Sequence, residues 1–481
     1  MKIQKEKNFS EWYTEILKEA ELCDLRYNVK GFIVFMPWAV SSIKKMYEAY
    51  ERALEARGHR PVWFPALIPE ANLKKEAEHV QGFIPEVFWV TGAGDEKFEE
   101  RLALRPTSET AMYPMYSLWI QGLKDLPLKL YHSSQVWRHE TKATRPFIRS
   151  REFYWIETHN AFATREGAMG QVREDAEMAE EVVHQQFGIP FLFFERPQWD
   201  KFPGADSTYA ADTLMPDGKV IQQPSTHLLG QNFARAFNIT YANEKGMREF
   251  VWQTCYGPAL SRIYASLIST HGDEKGLVLP FDLAPVQVIL IPISKKGKEE
   301  KLTRRCNELA EILRDNGFRT EVDASESTPG FKFNHWEMKG VPIRIEVGEQ
   351  ELEKKELTLA RRDTGKREKV REGELLERIC ALRKDILENL RKKSDEWFGK
   401  QMHSANTGAE LKENLKKGGF VRVDFCSIEK DGEECARLAK EEYGGDVRGV
   451  LFEKNERPRA GAKCIFCGRD AKEVVYIARQ Y

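Results

Sequence analysis

Alternation with a period of two is clearest in QVWRHETKATRPFIRSREFYWIETHNAF, residues 135–162. Counting from Arg149, the residues Arg149, Arg151, Phe153, Trp155, Glu157 and His159 fall on one face of an extended segment, with Ser150, Glu152, Tyr154, Ile156 and Thr158 on the other. Helical spacing governs 37–57, where Val40, Ile43, Tyr47, Tyr50 and Leu54 recur, Pro37 sits in the first turn and Gly58 lies just past the end. A short apolar strand over 62–64 follows and is closed by Pro65, which suits a sheet edge because proline removes a ladder donor. A charged helix over about 166–187 stops at Gly188 and Pro190. Through Phe281 short aromatic-rich strands mix with helices, which predicts a mostly antiparallel sheet with helices packed on it.

After Leu283-Ala284-Pro285 the texture changes. Strands are expected over 286–291, 318–322, 343–347 and 357–360, with an amphipathic helix over 297–316, so an α/β domain with a parallel or mixed sheet follows. A long charged helix over 372–398 leads to a small C-terminal unit. The fold class is α/β of the α+β kind, with domain boundaries expected at 1–283, 284–385 and 400–481.

Composition narrows the possibilities. A chain of 481 residues implies two to four domains. The 74 basic and 75 acidic residues leave a net charge of −1, so nucleic-acid binding must use local patches rather than overall charge. The charged N-terminus and the lack of eighteen uninterrupted apolar residues predict a soluble, cytoplasmic protein with no membrane partner. Eight cysteines are too few for a disulfide scaffold. Cys426, Cys435, Cys464 and Cys467 cluster near the C-terminus; a CxxC preceded by two cysteines resembles a structural four-thiolate zinc site, although the nine-residue step from 426 to 435 is loose and buried or redox-active thiols are the alternative.

Three more constellations carry chemistry. Arg138 and Glu140, a basic loop with Lys142 and Arg145, then Arg149 and Phe153 can grip a nucleotide: guanidinium on phosphate, ring on base, carboxylate on a base or sugar donor. The same residues also fit a half-exposed strand with solvated charges. Gly257 to Arg262 puts an arginine five residues after a glycine at a strand-to-helix junction, and Thr107-Ser108-Glu109 reads equally as a helix N-terminus.

Taken together and in order, these resemble the three motifs of class II aminoacyl-tRNA synthetases: motif 1 at about 37–65, motif 2 at 135–159 and motif 3 at 255–265. RPTSET, RPFIRSREFYW, KFPGADSTY, STHLLGQNF, HGDEKGLVLP and PGFKFNHWEMKGVPIRIEVG bring the resemblance closer, to prolyl-tRNA synthetases of the archaeal and eukaryotic type. The resemblance implies an antiparallel-sheet catalytic domain flanked by helices, a mixed-sheet anticodon-binding domain and a small zinc-binding α/β domain. It implies activation of proline with ATP and Mg2+, transfer to tRNA(Pro), structural Zn2+ and a homodimer.

By the same resemblance Arg138 bridges the α-phosphate and the amino-acid carboxylate, Arg149 and Arg262 hold the outer phosphates, Phe153 stacks on adenine and Glu140 meets the adenine end. Gln222 and Ser225 reach ATP or its magnesium. Thr107 and Glu109 meet the secondary ammonium of proline, with Trp155, Glu157, His159, His227 and Cys255 around it. Glu337 and Arg344 contact the anticodon, and Tyr481 tucks in towards the active site. Ala259 departs from the motif 3 glycine, and Gln223-Pro224 stands where small residues are usual.

The basic run through Lys354, Lys355, Arg361, Arg362, Lys366, Arg367 and Lys369 is interleaved with acids and is expected to be a solvated loop. About a hundred residues separate Phe153 from Gly257, too few for a large editing insertion. That predicts misactivation of cysteine or alanine without built-in hydrolysis. The rival readings are a class II synthetase for threonine or serine, and a synthetase-like tRNA-binding or regulatory subunit that does not aminoacylate.

Overall fold

The computed structural model describes residues 3–79, 87–141, 143–293, 299–454 and 456–481. Seven strands form the N-terminal part of the largest sheet: β1 (Arg60–Pro61), β2 (Leu128–Trp137), β3 (Glu152–Phe162), β4 (Leu192–Glu195), β5 (Ser207–Leu214), β6 (Val220–Gly230) and β7 (Trp252–Gly257). Their order is β4-β5-β6-β7-β3-β2-β1, antiparallel except that β1 runs parallel to β2. The edge strand is therefore Arg60–Pro61 and not 62–64: of the latter, Val62 keeps a bond to the sheet, donating its N–H to the Tyr131 carbonyl. Proline at this place leaves the outer side without one donor, as an edge permits.

The helix Pro37–Ala56 forms as its spacing predicts and turns inward Ile43, Met46, Tyr50 and Leu54. They join Phe187, Tyr256 and Tyr264 in the core beneath the sheet, each such side chain contributing ~1.5–3 kcal/mol of burial. The helix expected over 166–187 runs as Arg165–Ala179 and continues as a π-helical stretch, Glu180–Gln186. Gly188 ends it at φ +72°, in the left-handed region that favours glycine.

The α/β unit has strands β8 (Val288–Pro292), β9 (Thr320–Val322), β10 (Ile343–Val347), β11 (Glu356–Arg361) and β12 (Arg367–Arg371) in the order β9-β8-β10-β11-β12. The first three are parallel and the last two antiparallel, the mixed sheet foreseen. Its first helix is Glu299–Asp315; residues 297–298 of the expected span lie outside those described. The long helix runs Leu375–Gly399.

The C-terminal strands are β13 (Met402–Ser404), β14 (Phe420–Phe425), β15 (Asp446–Leu451) and β16 (Glu473–Ala478). They do not form a sheet apart. β15 pairs with β4 through Val450 with Glu195 and Leu451 with Phe194, so the two sheets merge into eleven strands. Behind this seam the buried Asp212 carboxylate accepts from Arg196 at 2.8 and 2.6 Å and from Arg448 at 2.8 and 3.2 Å. A buried carboxylate held by two guanidiniums has its charge compensated, and removing either partner is costly. Among the described residues no helix is long and apolar enough to cross a membrane.

Candidate active site

β3 begins at Glu152, so the alternation that carries the site starts later than a count from Arg149 suggests. Phe153, Trp155, Glu157 and His159 keep their common face and line a cleft of about 270 Å³, together with Thr107, Glu109, Arg138, Gln222, Ser225, His227, Cys255 and Arg262. Arg149 stands at the tip of the β2–β3 hairpin, closed by mutual main-chain bonds with Arg145 at 2.7 and 2.8 Å, and lines an adjoining recess shared with Gln222 and Arg262. Glu140 lies outside the cleft lining but favours the charged forms of Arg138 and Arg262. Arg151 is structural: it donates to the Lys30 and Glu140 carbonyls, each at 3.2 Å, and its own N–H meets the Gly31 carbonyl. Lys142 lies outside the described residues.

The two ends of the cleft differ in charge. At one end Glu157 accepts from the Ser108 N–H at 3.0 Å and its hydroxyl, and meets His159 Nε2 at 3.1 Å. Thr107 donates to Glu109, and Tyr113 Oη meets His159 Nδ1 at 3.0 Å. Burial is the largest single influence and works against charge on both members of the pair, yet His159, Ser108 and Arg105 together outweigh it for Glu157, whose pKa falls, and Glu157 and Glu109 together outweigh it for His159, whose pKa rises. Two acidic side chains beside one imidazole give this end an acidic bias. Glu109, Glu157 and His159 are close enough together to hold a cation.

At the other end Arg138, Arg149 and Arg262 donate to main-chain oxygens: Arg138 to Pro106 at 3.0 Å, Arg149 to Tyr481 at 3.3 Å, and Arg262 to Ile148 and Gln222 at 3.3 and 3.5 Å. Burial, then repulsion from Arg138 and Arg149, brings the Arg262 guanidinium down to about 10. Such a cluster is completed by a polyanion. Arg138 also lies 5.2 and 5.4 Å from the Phe153 and Trp155 ring centres, which fixes it between the two ends. Trp155 Nε1 is buried with no acceptor among the described residues.

Motif 3 is a strand-to-helix junction as expected: Gly257 ends β7 and the helix Leu260–His271 starts after Ala259. A Cβ on Gly257 would stand 3.3 Å from the Trp155 ring, so the glycine sets one wall of the cleft. Gln223-Pro224 sits in β6 at a bulge, where the register slips between Ala210 with Ser225 and Asp212 with Gln222; the bulge absorbs the missing proline N–H. Burial and then Glu109 push the Cys255 thiol well above its usual range, so it serves as a small buried side chain. Burial holds His227 down to about 3, a neutral ring bonded to Thr208 at 2.9 Å and tilted against Phe202 with ring centres 4.7 Å apart.

Phe202 and Thr208 also line the cleft and went unassigned by sequence reasoning, although KFPGADSTY contains both. Ser108 and Tyr113, which orient Glu157 and His159, could have been found only from the helix that follows RPTSET.

A second groove, about 400 Å³, opens on the α/β unit between Phe333, Trp336, Glu337, Arg344, Arg361 and Arg367. Here the charges are paired: Arg344 with Glu337 at 3.2 Å and Glu346 at 3.0 Å, and Arg367 with Glu346 at 2.7 Å. Arg344 caps the Phe333 ring at 3.9 Å. The expected solvated loop is not one throughout: Arg362 is buried and binds Asp273 of the catalytic unit at 2.9 and 2.5 Å, an ion pair that joins the two units.

The C-terminal cysteines converge. Cys426 follows β14 and Cys435 lies in the first turn of Glu433–Tyr443, so the nine-residue step is the length of a strand-to-helix turn. Cys464 and Cys467 occupy a tight turn in which the Cys464 N–H meets the Arg469 carbonyl at 2.8 Å. The sulfurs of Cys435 lie 3.7 Å from Cys426 and 4.0 Å from Cys464, and all four are within 4.8 Å of one another. Tetrahedral zinc with bonds of about 2.3 Å needs sulfurs about 3.8 Å apart, so the set fits.

Residues 88–271 match the class II tRNA synthetase core domain of the G, H, P, S and T group, 287–382 an anticodon binding domain, and 409–481 the prolyl-tRNA synthetase C-terminal domain. A proline–tRNA ligase of Thermofilum pendens is 52% identical, with 100% of this chain and 98% of the relative covered; that of Methanopyrus kandleri is 46% identical over 98% and 96%. The structure of Giardia lamblia prolyl-tRNA synthetase in complex with prolyl-adenylate superposes with a TM-score of 0.95 at 34% identity, over 100% of this chain and 99% of that one. That of Cryptosporidium parvum, complexed with halofuginone and AMPPNP, gives 0.93 at 32%, with the same coverage. Two-ended charge in one cleft, motif order and likeness over the whole length agree, and the chain belongs to the prolyl-tRNA synthetase family of class II aminoacyl-tRNA synthetases.

Proposed function

We propose that this chain is a proline–tRNA ligase: it joins proline to ATP as prolyl adenylate, releasing pyrophosphate, and passes the prolyl group to the 3′ end of tRNA(Pro), releasing AMP. The observation that carries the reading is the polarity of the cleft, acidic around Glu109 and Glu157 and cationic around Arg138, Arg149 and Arg262. Proline offers an ammonium to the first and a carboxylate towards the second. Glu109, Glu157 and Thr107 receive the ammonium, while Trp155, His159, His227 and Cys255 bound the ring.

The proline carboxylate then faces the α-phosphorus, with Arg138 binding both groups and neutralising the charge that develops. Arg262 and Arg149 hold the departing phosphates, Phe153 stacks on the adenine, Glu140 takes its exocyclic end, and Gln222 and Ser225 line the phosphate side. ATP enters as its magnesium complex, which supplies further neutralisation of the phosphates. No protein nucleophile is required.

The α/β unit over 284–385 reads the anticodon through Glu337 and Arg344, whose paired charges and the Phe333 ring suit base edges and stacking. Residues 400–481 form the C-terminal domain, with Cys426, Cys435, Cys464 and Cys467 holding a structural Zn2+; one zinc per chain by metal analysis is the expected count. Trp63, 88% exposed beside the edge strand β1, supports a homodimer across that edge, which light scattering tests against the monomer mass.

Proline-dependent pyrophosphate exchange is the deciding assay. Silence with every amino acid would turn the reading towards a tRNA-binding subunit. Residues 163–251 are spent on core helices and strands of the catalytic unit, so we include misactivation of cysteine or alanine without hydrolysis. Rapid deacylation of alanyl-tRNA(Pro) by the enzyme alone would defeat that part.

A further inference from the structure

Among the described residues, every one lining the catalytic cleft comes from positions 107–262 except Gln480. It also lines the adjoining recess with Arg149, Gln222 and Arg262, so it stands where the cleft and the phosphate side meet. Its main chain is pinned there. The Val220 N–H donates to the Arg479 carbonyl at 2.8 Å and the Tyr481 N–H to the Val220 carbonyl at 3.1 Å, bracketing Gln480 against the start of β6.

The side chain is oriented by chemistry. Arg448 Nη1 lies 3.0 Å from Gln480 Oε1. A guanidinium can only donate, so the amide must turn its oxygen to Arg448 and its NH2 away. Arg448 is itself immobilised, since Asp212 of the catalytic sheet binds its Nε and Nη2 at 2.8 and 3.2 Å. The Gln480 Nε2 has no acceptor among the described residues, and the residue is exposed. A donor held in this way, beside two arginines, lacks only an anionic oxygen.

We infer that Gln480 donates through Nε2 to the phosphate chain of the bound nucleotide, so that the C-terminal domain supplies a substrate contact to the catalytic cleft. This rests on reading the cleft as an ATP site. The chain of contacts Asp212–Arg448–Gln480 then ties nucleotide binding to the docking of β15 on β4.

Gln480→Glu separates a ligand role from a structural one. A carboxylate keeps, and strengthens, the partnership with Arg448 but offers the phosphates an acceptor where a donor stood. In the full-length dimer or monomer as purified, Gln480→Glu is expected to raise the KM for ATP in pyrophosphate exchange about tenfold and Gln480→Ala about threefold, with the KM for proline and the melting temperature unchanged. Titration of a non-hydrolysable ATP analogue reads the same contact as a matching rise in Kd without turnover, so a silent wild type in the exchange assay would sink the assigned reaction while the Kd values still decide Gln480. An unchanged ATP affinity in Gln480→Glu overturns the inference, as does a parallel rise in both KM values with a lowered melting temperature, which would make the residue a structural wedge.

Discussion

The catalytic cleft and the groove on the α/β unit are built from the same three residue types, arginine, glutamate and aromatic rings, and use them in opposite ways. In the cleft the acids gather at one end and the arginines at the other, and Arg138, Arg149 and Arg262 bond to main-chain oxygens. In the groove Arg344 and Arg367 share Glu346, and Glu337 completes the set. Separated charges create a site with a deficit that only a charged ligand fills. Paired charges create a surface whose donors and acceptors must be exchanged, which suits bases rather than phosphates.

The largest test of this contrast removes one unpaired cation. Arg138→Ala should lower proline-dependent pyrophosphate exchange by roughly 10²–10³-fold, as loss of a preorganised donor does. Arg138 has no ion-pair partner within salt-bridge distance among the described residues, and repulsion from Arg262 offsets the attraction of Glu109, Glu140 and Glu157, so its loss should change the melting temperature little. A large fall in melting temperature would mean that the cleft arginines are structural and break the comparison.

The groove should respond in the other assay. Glu337→Ala leaves Arg344 with Glu346 but takes away an acceptor, and charging of tRNA(Pro) should fall roughly 10–100-fold with exchange intact. Equal losses in both would show that Glu337 merely braces the fold, where Arg362 donates to its carbonyl at 2.9 Å.

A smaller effect sharpens the acidic end. Gly257→Ala puts a methyl 3.3 Å from the Trp155 ring, and the KM for proline should rise about threefold to tenfold while that for ATP moves less. Identical changes in both would place Trp155 away from the proline ring.

The smallest is a pH effect beneath the cleft floor. Burial lifts the Asp175 carboxyl to about 7, and Thr226 and Gln171 donate to it at 2.6 and 2.8 Å. Its folded value exceeds the unfolded one near 3.8, so the unfolded state ionises first and stability falls as pH rises from about 4 to 7. Between pH 5 and 8 the wild-type melting temperature should drop on the order of 3 °C further than that of Asp175→Asn. Parallel curves for the two proteins would remove Asp175 as the cause.

What could be read from the sequence followed from local rules. The 3.6-residue period of 37–57 and the period of two through Phe153, Trp155, Glu157 and His159 survive into the structure because one face of each element is buried and the other is not. The start of β3 was set instead by Arg151, whose N–H and guanidinium are claimed by the distant Gly31 and Lys30 carbonyls. Arg362 looked solvated because its partner, Asp273, lies 89 residues away. The resemblance pointed the chain end at Tyr481 towards the active site but singled out Tyr481 rather than Gln480, which only the pairing with Val220 brings to the cleft. The loose spacing of Cys426 and Cys435 did not obscure the four-cysteine set; it is wide because the turn that joins them is fixed by a helix start rather than by a knuckle.

The merged sheet has a consequence for how the chain is made. β4 is an early strand whose outer edge is covered by β15, some 250 residues later, and β15 in turn lies against β16, which must insert between β14 and β15. During synthesis, then, the catalytic sheet waits with an open edge and with Asp212 lacking Arg448 until some 250 further residues have left the ribosome. Pairing at such long sequence separation is slow, and an unpaired edge is sticky. A ribosome stalled before β16 would hold a nascent chain with most of the catalytic domain built and its seam open, the species that aggregation and quality control would meet first.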